Sequence, residues 1–169
     1  MDLEIKDIEI NYDKYFKLEN ISSSTKEKLD KIDIIAVPQQ YKENEYYFAQ
    51  ETVDFMKYCK QNDKNHTYDV LADGDIKVRS LHSFDLWLPV IKVASNILFT
   101  IAINMVSNYI LEKIKGREKE ETQVEVTFVV KNKKKEKMIH YKGNADKFKE
   151  TFERIDINKM WGSNVKLFL

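Results

Sequence analysis

Residues 86–116 read LWLPVIKVASNILFTIAINMVSNYILEKIKG, the most unusual segment of a 169-residue chain. Between Lys92 and Glu112 lie nineteen uncharged residues, Val93 to Leu111, close to the roughly 20 that cross the hydrocarbon of a bilayer. The spacing predicts one long apolar helix from Leu86 to Ile114. Pro89 falls in its first turn or kinks its start, and Gly116 ends it in the left-handed conformation. Asn96, Thr100, Asn104 and Asn108 follow Lys92 at intervals of four. At 100° per residue each step drifts by only about 40°, so these side chains form one slowly winding polar stripe, joined by Ser95 and Ser107. Three asparagines make a lone membrane span costly, and the mean hydropathy of about 1.5 is borderline for one. The favoured reading is a helix buried against a sheet on its wide face, with the stripe turned to a partner helix, a second copy or water. Buried asparagine pairs can fix register and oligomer number. A membrane-inserted 86–111 helix is the alternative, and a stripe lining a pore or ligand cavity is the third.

The remaining composition is that of a folded chain. Apolar residues make up 43% and aromatics 12%, well above a disordered sequence despite 33% charged residues. The length fits a single compact domain, 1–169, with a sub-boundary near residue 83, and argues against two independent enzyme domains. Only four Gly and two Pro are present, which disfavours a small barrel or sandwich built from many tight turns. Cys59 is the one cysteine, and Met1 to Lys6 lacks the basic and then apolar run of a signal peptide, so a reducing, cytoplasmic setting is expected, with membrane association as its variant. Lys, Asn and Ile abound while Arg79, Arg117 and Arg154 are the only arginines, the bias of an AT-rich genome such as that of a low-GC bacterium or its phage. Residues 1–85 carry 12 basic and 18 acidic side chains and residues 86–169 carry 16 and 10, balances of −6 and +6 in a chain of net charge zero. Such polarity can steer a head-to-tail contact or aim the basic half at an anion, or the halves can simply neutralise each other within one fold.

Flanking elements follow from pattern. Leu3, Ile5, Ile8 and Ile10 interleaved with charges predict an edge-type strand. Ser24 and Glu27 fit a capping box opening a short helix towards Lys31. Ile32 to Val37, ended by Pro38, reads as a strand covered on both faces. Val53, Phe55, Met56 and Cys59 place an amphipathic helix over residues 49–61, and Thr67 to Ala72 reads as a strand, so the order suggests a right-handed βαβ crossover. Asp73-Gly74 is read as a hairpin turn into a strand from Ile76 to Leu81. Beyond the long helix, Thr122 to Val130 is a strand with Val124, Val126 and Phe128 on one face. Lys131 to Lys137 turns it back into Met138 to Tyr141, Asn144 caps a closing helix through Ile155, and Val165 to Leu169 adds an edge strand. The fold class expected is α+β: a mixed sheet with one long apolar helix, a C-terminal β-hairpin and a closing helix.

Motifs for chemistry are sparse. Asp69, Asp73 and Asp75 do not complete a calcium loop, and a turn accounts for them. Cys59, His66, His82 and His140 lack paired zinc spacing, and a Cys–His nucleophile would require distant residues to meet. The sequence holds no Gly-rich phosphate loop and no GxSxG elbow. Lys131, Lys133, Lys134 and Lys135 are candidates for contact with phosphates or anionic lipid, since clustered ammonium groups displace counterions. No arginine stands in that turn for base reading, and Tyr141 is the first aromatic after it, so specific nucleic-acid recognition is disfavoured.

From Ile97 to Ile155 the order helix, strand, lysine-rich turn and short helix is similar to small accessory components encoded beside effectors in bacterial conflict systems, a likeness of pattern without a diagnostic motif. It implies a role as an accessory to an effector. The function expected is a non-enzymatic module that binds a protein partner or a second copy through Asn96, Thr100, Asn104 and Asn108. No cofactor or metal is expected. The competing classes are a membrane-acting effector, with Lys113, Lys115 and Arg117 on the cytoplasmic side of its helix, and an enzyme with a site assembled from Asp69, Asp73, His82 or His140.

Overall fold

Ile34 to Val37 are all buried, as a β-branched run covered on both faces should be, and around this strand the chain builds a mixed sheet. The computed structural model describes residues 2–80, 85–117, 120–162 and 165–168. In chain order the elements are β1 (Asp2–Asp7), α1 (Asp13–Leu18), α2 (Ser23–Lys26), α3 (Lys28–Lys31), β2 (Ile34–Val37), β3 (Gln39–Gln40), β4 (Tyr46–Ala49), α4 (Thr52–Asn62), β5 (Tyr68–Val70), β6 (Val78–Arg79), β7 (Leu86–Val93), α5 (Asn96–Ile114), β8 (Gln123–Asn132), β9 (Lys135–Asn144), α6 (Phe148–Glu153) and β10 (Val165–Phe168). Seven strands form one sheet in the order β10-β1-β9-β8-β7-β2-β5, and β3-β4-β6 form a second, small one. The large sheet draws strands from both sides of residue 83, which itself lies outside the described residues. The α+β class expected from the sequence is the observed one.

The largest difference from the sequence reading falls on its opening segment. Leu86 to Val93 is a strand, and only Asn96 to Ile114 is helical. β7 lies inside the sheet, parallel to β8 and antiparallel to β2. Leu88, Val90, Ile91 and Val93 are buried, and the β-branched trio suits a pleated interior better than a helix. Pro89 sits where the register with β8 slips between Trp87 and Val90, so its missing N–H falls at a bulge. The helix starts at Ser95, whose Oγ accepts from the Leu98 N–H at 3.2 Å. After its end Gly116 adopts φ +84°, as expected.

β7, α5 and β8 therefore make a βαβ crossover, as do β2, α4 and β5. β2 and β7 are antiparallel, and the two crossovers step outwards in opposite directions along the sheet. A half-turn about the sheet normal exchanges two such units, so crossovers of one hand put both helices on the same face; the right hand is the near-universal one. Phe55, Met56 and Cys59 of α4, Phe99, Ala102, Val106 and Tyr109 of α5, and Phe148 and Phe152 of α6 share one core beneath Val124, Val126, Phe128 and Val130. Phe99 meets Phe128 edge-on with ring centroids 5.2 Å apart, and Tyr141 meets Phe148 likewise at 5.2 Å. Such pairs add about 0.5–1.5 kcal/mol each beyond the area they bury.

On the opposite face Tyr12, Tyr15, Ile21 and Leu71 form a smaller cluster with Ile35, Val37, Val90 and Val129, and beyond it Glu125, His140 and Lys142 are at least partly exposed. Smaller differences have local causes. β1 lies second from the edge, with β10 outside it. The serine that caps α2 is Ser22, not Ser24, and the helical stretch breaks at Glu27. Val53 is exposed, unlike Phe55, Met56 and Cys59. Asp73-Gly74 makes a turn, with Gly74 at φ +66°, but no hairpin: β6 pairs parallel with β4. Leu81 and His82 lie outside the described residues. The β8–β9 turn is tighter than expected, with Asn132 opposite Lys135. Asn144 offers no side-chain cap to the 3₁₀ turn at Ala145–Lys147; its Oδ1 accepts from Gln123 instead. β10 supplies the expected C-terminal edge.

Candidate interaction surface

The orientation of α5 is fixed at both ends. Near its C-terminus Tyr109 OH donates to Glu51 Oε1 at 2.7 Å, beside Lys113, whose ammonium lies 3.6 Å from Asp54 and 3.9 Å from Glu51. Burial first, and then that hydrogen bond, raises the Tyr109 phenol well above its ordinary range, so it stays a donor. At the N-terminus Trp161 Nε1 donates to Asn96 Oδ1 at 3.1 Å. With Phe99, Ala102, Met105, Val106, Tyr109 and Ile110 turned inwards, the remaining arc must face out.

The predicted stripe divides along this arc. Thr100, Asn104 and Asn108 are exposed, whereas Asn96 is half-buried under Trp161. Thr100 Oγ1 bonds back to Asn96 O at 3.1 Å, and Asn104 and Asn108 have no hydrogen-bond partner among the described residues. Ser107, read as part of the stripe, is buried and its hydroxyl is unpartnered there. The sequence reading missed the apolar members of the outward face: Ile97 is 75% exposed and Leu111 56%, with Ile101 partly exposed between them. The ridge is thus two exposed aliphatic ends around an amide-rich middle. Scattered surface aliphatics are normal; these two stand at the ends of one helix face whose central side-chain amides are unpaired.

The lysine candidates stand elsewhere. Lys131, Lys133, Lys134 and Lys135 are all exposed at the tip of the β8–β9 hairpin, with Lys133 in the left-handed region at φ 58°. Lys137 points inwards, 1% exposed, with its ammonium 3.0 Å from Asp7. Tyr141 is fully buried and offers no stacking platform to a base.

The residues weighed for catalysis are not assembled. Asp69 lies on β5 and His140 on β9, four strand positions apart, or ~19 Å across the sheet. Asp69 pairs with Lys28 at 3.1 Å. Asp73 accepts from Thr25 Oγ1, from Ser22 N at 2.7 Å and from Ser22 Oγ at 2.8 Å, which holds its carboxyl below the usual range and ties the 71–77 turn to the start of α2. Cys59 is wholly buried; burial and the nearby Asp63 carboxylate push its thiol up to about 12, so it carries no thiolate at neutral pH. Among the described residues no three His, Cys, Asp or Glu side chains group as metal ligands would.

The open face of the sheet carries two features that the sequence did not announce. His140 Nε2 lies 3.0 Å from Glu125 Oε1, diagonally across β8 and β9, and this bond keeps the Glu125 carboxyl below its ordinary range. Beside it a cleft of about 510 Å³ opens between the chain before α1 and the sheet, lined by Ile10, Tyr12, Gln39, Val90 and Met138 among others. Neither was legible without the hairpin register. Comparison with models of protein families, with curated proteins and with solved structures gives no match for this chain.

Proposed function

We propose that this chain is a non-enzymatic module that works by contact with other protein chains, and that the outward ridge of α5 is its contact element. The observation that carries the reading is the exposure of Ile97 and Leu111 on either side of the unpaired Asn104 and Asn108. Apolar ends supply hydrophobic burial on association, and amides that lose water there must find partners, which makes the contact selective.

The test is a photo-crosslinking amino acid placed at Asn104 in the living source cell, with Lys17, exposed on α1 across the sheet, as the control position. Protein adducts from position 104 and not from 17 are expected. No protein adduct from positions 104, 108 or 111 would overturn the proposal.

Membrane insertion is the second reading, because α5, with 19 residues and a mean hydropathy of 1.3, is long and apolar enough to cross a bilayer by length and composition. Insertion would have to withdraw Phe99, Val106 and Tyr109 from beneath the sheet and uncover its apolar face. Flotation of the folded protein with anionic vesicles would favour this reading over the first.

A further inference from the structure

The cleft on the open face of the sheet, at about 510 Å³, falls within the roughly 300–1,000 Å³ typical of small-molecule pockets. Its walls are largely apolar, with Ile10 from the chain before α1, Val37 from β2, Val90 from β7, Val129 from β8 and Met138 from β9. Three uncharged polar groups stand among them with no hydrogen-bond partner among the described residues: the Thr127 hydroxyl, the Tyr12 hydroxyl and the Gln39 amide. Thr127 and Tyr12 are each only 8% exposed. Buried hydroxyls are nearly always bonded, so two unpartnered ones at a single cleft call for a reason. Burial, and then the Glu136 carboxylate, hold the Tyr12 phenol above its ordinary range, so it remains a donor. Water alone is a poor filling, because each ordered molecule wants about two to four polar partners and apolar walls do not supply them.

We infer that the cleft is a binding site for a small, uncharged and mainly apolar molecule carrying a hydrogen-bond acceptor such as a carbonyl oxygen or a ring nitrogen. It lies on the face opposite α5 and does not depend on the contact reading. The class of ligand follows from the surroundings. None of the described lining residues is charged. Lys92, whose ammonium lies 5.3 Å from the centre of the Tyr12 ring, is already 3.4 Å from Glu136, so this neighbouring pair offers no net charge to an ion. An extended peptide finds no ladder to join. The floor strands β7, β8 and β9 are interior and paired on both sides, and the edge strand β3 is two residues long.

Nile red tests the inference, since it is uncharged, carries a ring carbonyl and brightens on leaving water. Titrated into the full chain, it should bind saturably at one site. Thr127→Val keeps the side-chain shape and removes the hydroxyl, and should weaken binding by about threefold to tenfold, the worth of one neutral hydrogen bond. Met138→Trp fills the cleft and should abolish binding, whereas Asn104→Asp on the far face should leave it unchanged. The anionic dye anilinonaphthalene sulfonate should bind far more weakly. Circular dichroism shows which variants are folded, and Thr127→Val carries the test alone if the tryptophan variant does not fold. Absence of saturable binding, parent-like binding by Thr127→Val, or loss of binding in Asn104→Asp overturns the site. Equal or tighter binding of the anionic dye overturns the uncharged class.

Discussion

Two neighbouring positions on α5 separate a core helix with an outward amide ridge from a helix that works in lipid. Ala102 is wholly buried beneath the sheet and Asn104, two residues on, is exposed. Ala102→Asp puts a carboxyl into the core with no partner built for it. If burial raises its pKa by about 3 units, the penalty at pH 7 is about 4 kcal/mol. Its extra volume adds about 1–3 kcal/mol. The total, about 5–7 kcal/mol, rivals the whole stability of an ordinary domain, about 5–15 kcal/mol. Asn104→Asp is nearly isosteric and stays in water, so its effect should lie within about 0.5 kcal/mol. Urea unfolding followed by circular dichroism without detergent should find Ala102→Asp unfolded or with a much lower midpoint, and Asn104→Asp close to the parent. The pH dependence has a definite sign. A carboxyl whose folded pKa is raised destabilises above its unfolded value and not below it, so the deficit of Ala102→Asp relative to the parent should shrink from pH 7 towards about pH 4. Equal losses for the two variants, or a larger one for Asn104→Asp, would refute the assignment of inward and outward faces.

Cys59 should resist a disulfide reagent at pH 8 in the native protein and react at once in urea, because its thiol is buried and its pKa pushed up to about 12; rapid native labelling would mean that α4 opens readily. For Asp73, hydrogen bonds from Thr25 and Ser22 lower the folded pKa, so its contribution is present above about pH 4 and lost as pH falls through the folded value. The melting-temperature gap between parent and Asp73→Ala should therefore be full at pH 6 and close in stronger acid, and a gap of constant size would show that the carboxylate charge is irrelevant.

What the sequence made legible was governed by how local the deciding physics is. Val124, Val126 and Phe128 alternate, and alternation alone puts them on one buried face, where they are found. The outward set Thr100, Asn104 and Asn108 was equally readable, because helix geometry alone places them in line. Leu86 to Val93 was not: a short apolar run has no period that distinguishes a buried strand from a buried helix, and Pro89 fitted the first turn of a helix as well as it fits a bulge. Only the strands on either side, β2 from residue 34 onwards and β8 from residue 123 onwards, decide between the two. Ser24 was read as the cap from its spacing to Glu27, whereas Ser22 caps the helix and is held there by Asp73, 51 residues away. Ile97 and Leu111 went unnamed in the sequence reading, which followed the polar side chains alone. Seven residues either side of Asn104, they lie within about 20° of it on the helix, so the spacing did place them on the outward line.

The same topology sets what the rest of the molecule is free to do. Because both crossovers place their helices on one face of the sheet, with α6 beside them, any contact made through α5 turns the opposite face outwards. That face holds the cleft of about 510 Å³ and the His140–Glu125 pair, and the four lysines stand at the far end of the hairpin that forms it. Strands β7 and β8 touch α5 from one side and carry Val90, Thr127 and Val129 on the other, so these two strands belong to both faces. A substitution at Val90 or Val129 lies under the cleft and one strand thickness from the buried face of α5, so it perturbs both faces of the sheet at once.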